Sequence, residues 1–436
     1  MSVTTPRQGS GPPPPPRPAS TPAQQASTPA SADVARRRRE GVSFGPFPVA
    51  NLVVLEIGIA IGLVLLAIDT KLMYVGAAIA VLGLIFALIR WRGRWLTQWV
   101  GLTTGYALRG HSKAANPAAA EEPAQDSEEA TMTGPEDARV ALLRLAVPDL
   151  LIAHGTDHER QPVGLAYNDG GWTAVLLVDP MPALVNQVGS APNLPLSALA
   201  PCLEDRGVLL DAIQVIWHCY PGSAALPAQS PALASYLEVL GPLPAAARRT
   251  TWVAVRLDPQ RCAQAVSERG GGVEGAHRAV LGALSRVRNA LESKGVRARP
   301  LSPDELLAAG IKSSELSAVA GSQETVSLNE RWDGVTAAGV GHSSYAVTGW
   351  PGKGSLNSLT SVRALSSTVV LSISPGEGEE VGLRGVVRVS ARTPGELNEA
   401  EEQLGSIADE LDMDLTSLRG MQLSGLIATL PLGGTA

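Results

Sequence analysis

Two apolar runs constrain this chain more than any other feature. Val49 to Ile68 reads VANLVVLEIGIAIGLVLLAI and Leu72 to Ile89 reads LMYVGAAIAVLGLIFALI, with only Asp69, Thr70 and Lys71 between them. Each is close to the ~20 residues that cross a ~30 Å hydrocarbon core. The sequence therefore predicts an N-terminal two-helix transmembrane hairpin over residues 49–90. A cleaved signal peptide fits poorly, because the first run starts late, is too long and has a second run behind it. Flanking cations orient the hairpin. Arg36, Arg37, Arg38 and Arg39 precede it; Arg90, Arg92 and Arg94 follow it, with Arg109 and Lys113 further on. Loops rich in Lys and Arg stay in the cytoplasm. A multi-pass protein of the inner (cell) membrane is expected, with both termini cytoplasmic and the Asp69-Thr70-Lys71 tip outside. Trp91, Trp95 and Trp99, four apart, read as an interfacial anchor.

Inside the first run, Glu56 lies on the order of 10 Å from Val49 at 1.5 Å per residue. A carboxylate there costs a few kcal/mol on insertion scales, so it should be protonated or paired against another helix. Gly58 and Gly62 form GxxxG, a close-packing face. At 100° per residue that face lies roughly opposite Glu56. The second helix can cover one of these faces; the other calls for a different protein. Glu56, Gly58 and Gly62 are thus the expected transmembrane partner contacts.

The rest of the chain divides by composition. Residues 1–48 are a Pro-rich tail, including GPPPPPRP, with a basic flank. Such a stretch buries little apolar surface and is expected to be disordered or polyproline II. Residues 91–139 are a juxtamembrane segment and a linker carrying Glu121, Glu122, Asp126, Glu128, Glu129, Glu136 and Asp137, self-repelling and extended. Residues 140–436 read as a cytosolic α/β domain. Asn168-Asp169-Gly170-Gly171 between two apolar runs signals a hairpin. Residues 212–220, 251–257, 368–374 and 385–392 read as strands. In the last, Arg388, Ser390 and Arg392 alternate with apolar residues, so one face is expected to be wet. Ala276, Val280, Leu284, Val287 and Leu291 make a helical stripe, and Leu397 to Leu411 another. Ser302-Pro303-Asp304-Glu305 and Thr393-Pro394-Gly395-Glu396 are capping boxes. Residues 321–365 are Gly/Ser-rich and poorly patterned. The net charge of −6 offers no basic surface, so no nucleic-acid partner is expected. Three cysteines, Cys202, Cys219 and Cys262, suit a reducing compartment better than a disulfide framework.

Constellations for chemistry are weak. His154 and His158, with Asp157, have a metal-like spacing but no third ligand at fixed distance in the sequence. His218 and Cys219 are neighbours in a strand and point to opposite faces. The glycines of ERGGGVEG (268–275) precede a helix but lack the spacing of a phosphate-binding loop. Asp412 and Asp414 form a DxD at a helix end. Asp333 and His342 have no evident partner. No catalytic, cofactor-binding or metal-ligating residue is assigned, and no cofactor is expected.

Taken in order, LIRWRGRW, VGLAYNDGGWTAVLLV, LPLSALAPCLEDRGVLLDAIQVIWH, TWVAVRLDP, RGGGVEGAHRAVLGAL, LRGVVRVSARTP and LRGMQLSGLIATLPLGG resemble the EccE family of type VII (ESX) secretion systems over roughly residues 42–434. The resemblance implies a non-enzymatic structural subunit of a membrane complex, assembling with EccB, EccC and EccD in the lipid bilayer. It also implies a glycosyltransferase-like α/β fold for the cytosolic region, without established activity. The alternative carried beside it is a membrane-tethered glycosyltransferase-like enzyme using Asp412 and Asp414 with a divalent cation. A third reading is an adaptor recruiting factors through the Pro-rich tail.

Overall fold

A computed structural model describes residues 43–44, 47–68, 73–91, 94–116, 137–179, 194–220, 248–322, 324–352, 356–376 and 380–434. The Pro-rich tail, Arg36 to Arg39, the Asp69-Thr70-Lys71 tip and most of the acidic linker lie outside them. Two compact units meet the eye, residues 1–87 and 88–436.

The first unit holds the helices α1 (Val49–Ile68) and α2 (Met73–Leu88). They pack closely because glycines face glycines. A Cβ on Gly58 would lie 3.2 Å from the Gly83 Cα, and one on Gly62 would lie 2.9 Å from the Gly76 carbonyl oxygen. Asn51 Nδ2 donates to the Ala87 carbonyl at 2.8 Å, closing the other end of the pair. The expectation of a transmembrane hairpin is corrected here: among the described residues no helix is long and apolar enough to cross a membrane. Helix α2 has 16 residues, about 24 Å at 1.5 Å per residue, short of the ~30 Å core. Helix α1 carries Asn51 and Glu56 in its N-terminal half.

The second unit is built on one thirteen-stranded sheet. Its strands are β1 (Ser112–Ala115), β2 (Leu151–Thr156), β3 (Pro162–Asn168), β4 (Gly171–Val178), β5 (Ala212–Tyr220), β6 (Arg248–Leu257), β7 (Ala298–Pro300), β8 (Val326–Glu330), β9 (Val335–Ala337), β10 (Val340–Gly349), β11 (Ser366–Pro375), β12 (Val381–Ala391) and β13 (Asp414–Ser417). The order is β1-β8-β9-β10-β12-β11-β5-β6-β4-β3-β2, with β7 added to β4 and β13 to β10. Helices α6 (Gly272–Glu292) and α8 (Pro394–Glu410) cover one face, after α3 (Leu96–Ala107), α4 (Ala138–Arg144) and α5 (Ala263–Glu268) in the chain. Helices α4, α7 (Pro303–Ser313) and α9 (Gln422–Ala428) cover the other.

This corrects the α/β, glycosyltransferase-like expectation. An α/β sheet is parallel because helical crossovers return each strand in the same direction. Here every ladder is antiparallel, so the fold is a large antiparallel sheet with helices on both faces. Short turns impose it: Asp169-Gly170 and Ala338-Gly339 both have positive φ, the twist that a two-residue hairpin requires.

The sheet contains the same arrangement twice. Strands β2 to β7 with α6 and α7 form one half, and β8 to β13 with α8 and α9 form the other. Each half runs in the order first-second-third-fifth-fourth, with its sixth strand on the end of its third. The halves meet where β5 pairs β11, and the Ile216–Val370 pair marks an approximate twofold axis. Equivalent positions follow from the registers: Tyr167–Trp172 in the first half corresponds to Thr336–Gly341 in the second. After α9 the chain crosses back to the first half. There Asn168 Nδ2, Arg256 Nη1 and Gln214 Nε2 donate to the carbonyls of Leu432, Gly433 and Gly434 at 2.6, 2.9 and 2.6 Å.

Candidate functional site

The helix pair displays the predicted contact residues in two different ways. Gly58 is buried and Gly62 half-buried against α2, whereas Glu56 is exposed. Around it Leu52, Ile57, Leu63 and Val64 are each more than two-fifths exposed. The outer surface is therefore apolar with one carboxylate on it.

Residues ahead of the linker dock on the sheet domain, which sequence patterning did not reveal. Strand β1 pairs β8 along its outer edge. Helix α3 lays Trp99 and Tyr106 on Trp332, at centroid distances of 6.2 and 5.2 Å. Arg109 closes the joint: its Nη2 donates to Glu330 Oε1 at 2.8 Å and to the Gly420 carbonyl at 2.5 Å. The Glu330 side chain is 1% exposed and also accepts the Leu423 N–H at 3.0 Å. A buried carboxylate without that cation would be costly, so Arg109 holds α3 to the domain.

A second polar feature is sealed inside. Register places Ser344, Arg388, Thr368, His218 and Thr250 side by side across five strands. All of this row except Thr250 is buried. Arg388, expected on a wet face, is 0% exposed. Its Nη2 donates to the Ser313 carbonyl and to Thr368 Oγ1. Thr368 Oγ1 also meets His218 Nδ1 at 2.8 Å. Over the row hangs Glu315, just past α7, at φ 59°. It accepts from Ser366 Oγ and from Tyr220 Oη at 3.0 Å, and lies 3.8 Å from His218 Nε2. Burial pushes the Arg388 guanidinium down to about 10 and the Glu315 carboxyl up from its usual range. Burial and the nearby Arg388 charge hold His218 and His342 well below the ordinary imidazole value. Both imidazoles are neutral in the fold. Glu315 belongs to the first half and Ser366 to the second, so this network ties the halves together.

The remaining candidates do not converge. Asp157 accepts the Glu159 and Gln161 N–H groups at 2.8 Å, a turn cap, while His158 meets Arg288 instead. His218 and Cys219 face opposite sides of β5, the one on Thr368 and the other near Arg249. Gly275 of the glycine-rich stretch serves packing: a Cβ there would strike the Val266 carbonyl at 2.2 Å. Asp414 and Asp412 lie against Gly349 and Gly352. Asp333 is exposed beyond β8, and His342 is buried on Ser390. Among the described residues no three His, Cys, Asp or Glu side chains come together to hold a metal ion.

Comparison with known proteins fits this inventory. A family model described as type VII ESX secretion system translocon, EccE, matches residues 245–347, which run from β6 to β10. The ESX-5 secretion system protein EccE5 of Mycobacterium marinum is 26% identical over 295 residues, 64% of this chain and 68% of that protein. The ESX-1 secretion system protein EccE1 of Mycolicibacterium smegmatis is 39% identical over 67 residues, 15% of this chain and 14% of that protein. These matches make the chain similar to EccE proteins, components of the type VII ESX secretion translocon.

Proposed function

We propose that the chain is a non-catalytic structural subunit that assembles with, and stabilises, a core of EccB, EccC and EccD. The observation that carries this reading is the exposed Glu56 on an apolar helix pair. Glycines fill the inner face of the pair, so the carboxylate and its apolar surroundings remain for other subunits. A carboxylate ringed by apolar side chains calls for a hydrogen-bonding or charged partner once another protein covers that surface. The transferase reading on Asp412 and Asp414 finds no support among the relatives.

The test uses the tagged full-length chain, purified from detergent-solubilised membranes, with co-purifying subunits quantified. Gly62→Ile, which drives a branched side chain into the Gly76 carbonyl, and Glu56→Leu are each expected to cut subunit recovery about tenfold, a loss of about 1.4 kcal/mol in association. Recovery equal to wild type for both variants would remove the helix pair from the assembly.

A further inference from the structure

The internal duplication exposes a difference between its halves. In the first half Leu165, Tyr167 and Trp172 fill the space between the strands and α6; Trp172 packs edge-on against His277 at 4.2 Å and on Tyr167 at 5.0 Å. The equivalent residues of the second half are Gly334, Thr336 and Gly341. Three large side chains are missing there, and a groove of about 350 Å³ opens between β10 and the start of α8. Its rim carries Arg331, Arg392 and Arg419, brought from three separate segments. Arg331 and Arg392 stand where the first half has Ala153 and Asp258. None of the three makes an ion pair among the described residues. Asp333, Glu401 and the phenol of Tyr345 share the groove.

We propose that this groove binds an acidic peptide segment of a partner protein. The arginines supply planar forks for carboxylates. Asp333 and Glu401 would repel a bare anion, yet they accept hydrogen bonds from the N–H groups that a peptide brings with it. The site lies wholly within the sheet domain and does not depend on the role of the helix pair.

The test measures fluorescence anisotropy of fluorescein-labelled hexaglutamate with the full chain in detergent. Saturable binding is expected, weakening as salt is raised, and unaffected by millimolar inorganic phosphate. Gly341→Trp refills the groove with the first half's own residue; its Cβ would lie 3.3 Å from the Leu397 Cδ2 and 3.7 Å from the Ala391 carbonyl oxygen. The double variant Arg331→Glu, Arg392→Glu alters exposed side chains alone, so it reports even if the first variant fails to fold. Each folded variant is expected to bind about tenfold or more weakly. The proposal falls if wild type shows no saturable binding, if the double variant binds as wild type does, or if phosphate displaces the peptide.

Discussion

Glu315→Ala is expected to destabilise the sheet domain by about 3–5 kcal/mol, because it leaves Arg388 buried without its counter-charge. In thermal unfolding that is a fall in Tm of roughly 10 °C. The two partners respond unequally to losing each other. A carboxyl can take a proton when its cation is removed, whereas a guanidinium stays charged in all but the most extreme settings. Arg388 is fully buried, and Glu315 is the acidic residue that sustains its charge. Ser366 and Tyr220 lose an acceptor as well. Glu315→Gln keeps an oxygen acceptor for one of the two hydroxyls and should cost less. Combining Glu315→Ala with Arg388→Met removes the stranded charge and should recover most of the loss, giving a coupling energy well outside additivity. Additive effects of the two single variants would show that the pair does not interact.

The second large effect is a loss of stability in acid. His218 and His342 have folded-state pKa values below their unfolded value. Their contribution is therefore present above about pH 6.5 and is lost as pH falls below it. Each imidazole that the fold keeps neutral costs about 1.4 kcal/mol per pH unit in that range. Glu315 acts in the opposite direction: its folded value is raised, so its contribution is largest in acid and fades as pH rises through the folded value. Two histidines outweigh one carboxyl, and Tm should drop between pH 7 and 5.5. His342→Gln retains a hydrogen-bonding group near Ser390 and should remove about half of the drop. A Tm that is level across this range, or an unchanged drop in the variant, would refute the assignment.

Local signals in the sequence translated faithfully into local structure. Ser302 and Thr393 accept the N–H of Glu305 and Glu396 as capping boxes do, and the stripe from Ala276 to Leu291 is buried along α6. Asn168 to Gly171 forms its hairpin. What pairs with what was not legible. Alternation of strands and helices suits a parallel sheet as well as an antiparallel one, and the connections alone decide. Residues 321–365 read as unpatterned, yet they hold β8, β9 and β10. Their buried positions include His342, Ser343 and Ser344, polar residues that break the apolar alternation by which strands are recognised. Arg388 misled for the same reason. Its alternation with valines placed it on a wet face, while α7 and the Ser313 carbonyl cover it. The duplication was hidden because many equivalent positions hold unlike residues, such as Trp172 and Gly341, and the matches, such as Gly170 with Gly339 and Val253 with Val387, are scattered. In the helix pair, spacing separated Glu56 from Gly58 and Gly62, but the identity of the glycines opposite them, Gly76 and Gly83, emerged only from packing.

A structural subunit of this kind holds its secretion complex together. Native electrophoresis of detergent-solubilised membranes from a deletion strain, with secretion assayed in parallel, tests it most directly. The membrane complex is expected to lose its native size and export to stop, both restored by the wild-type chain. A complex of unchanged size that still exports its substrates would contradict it.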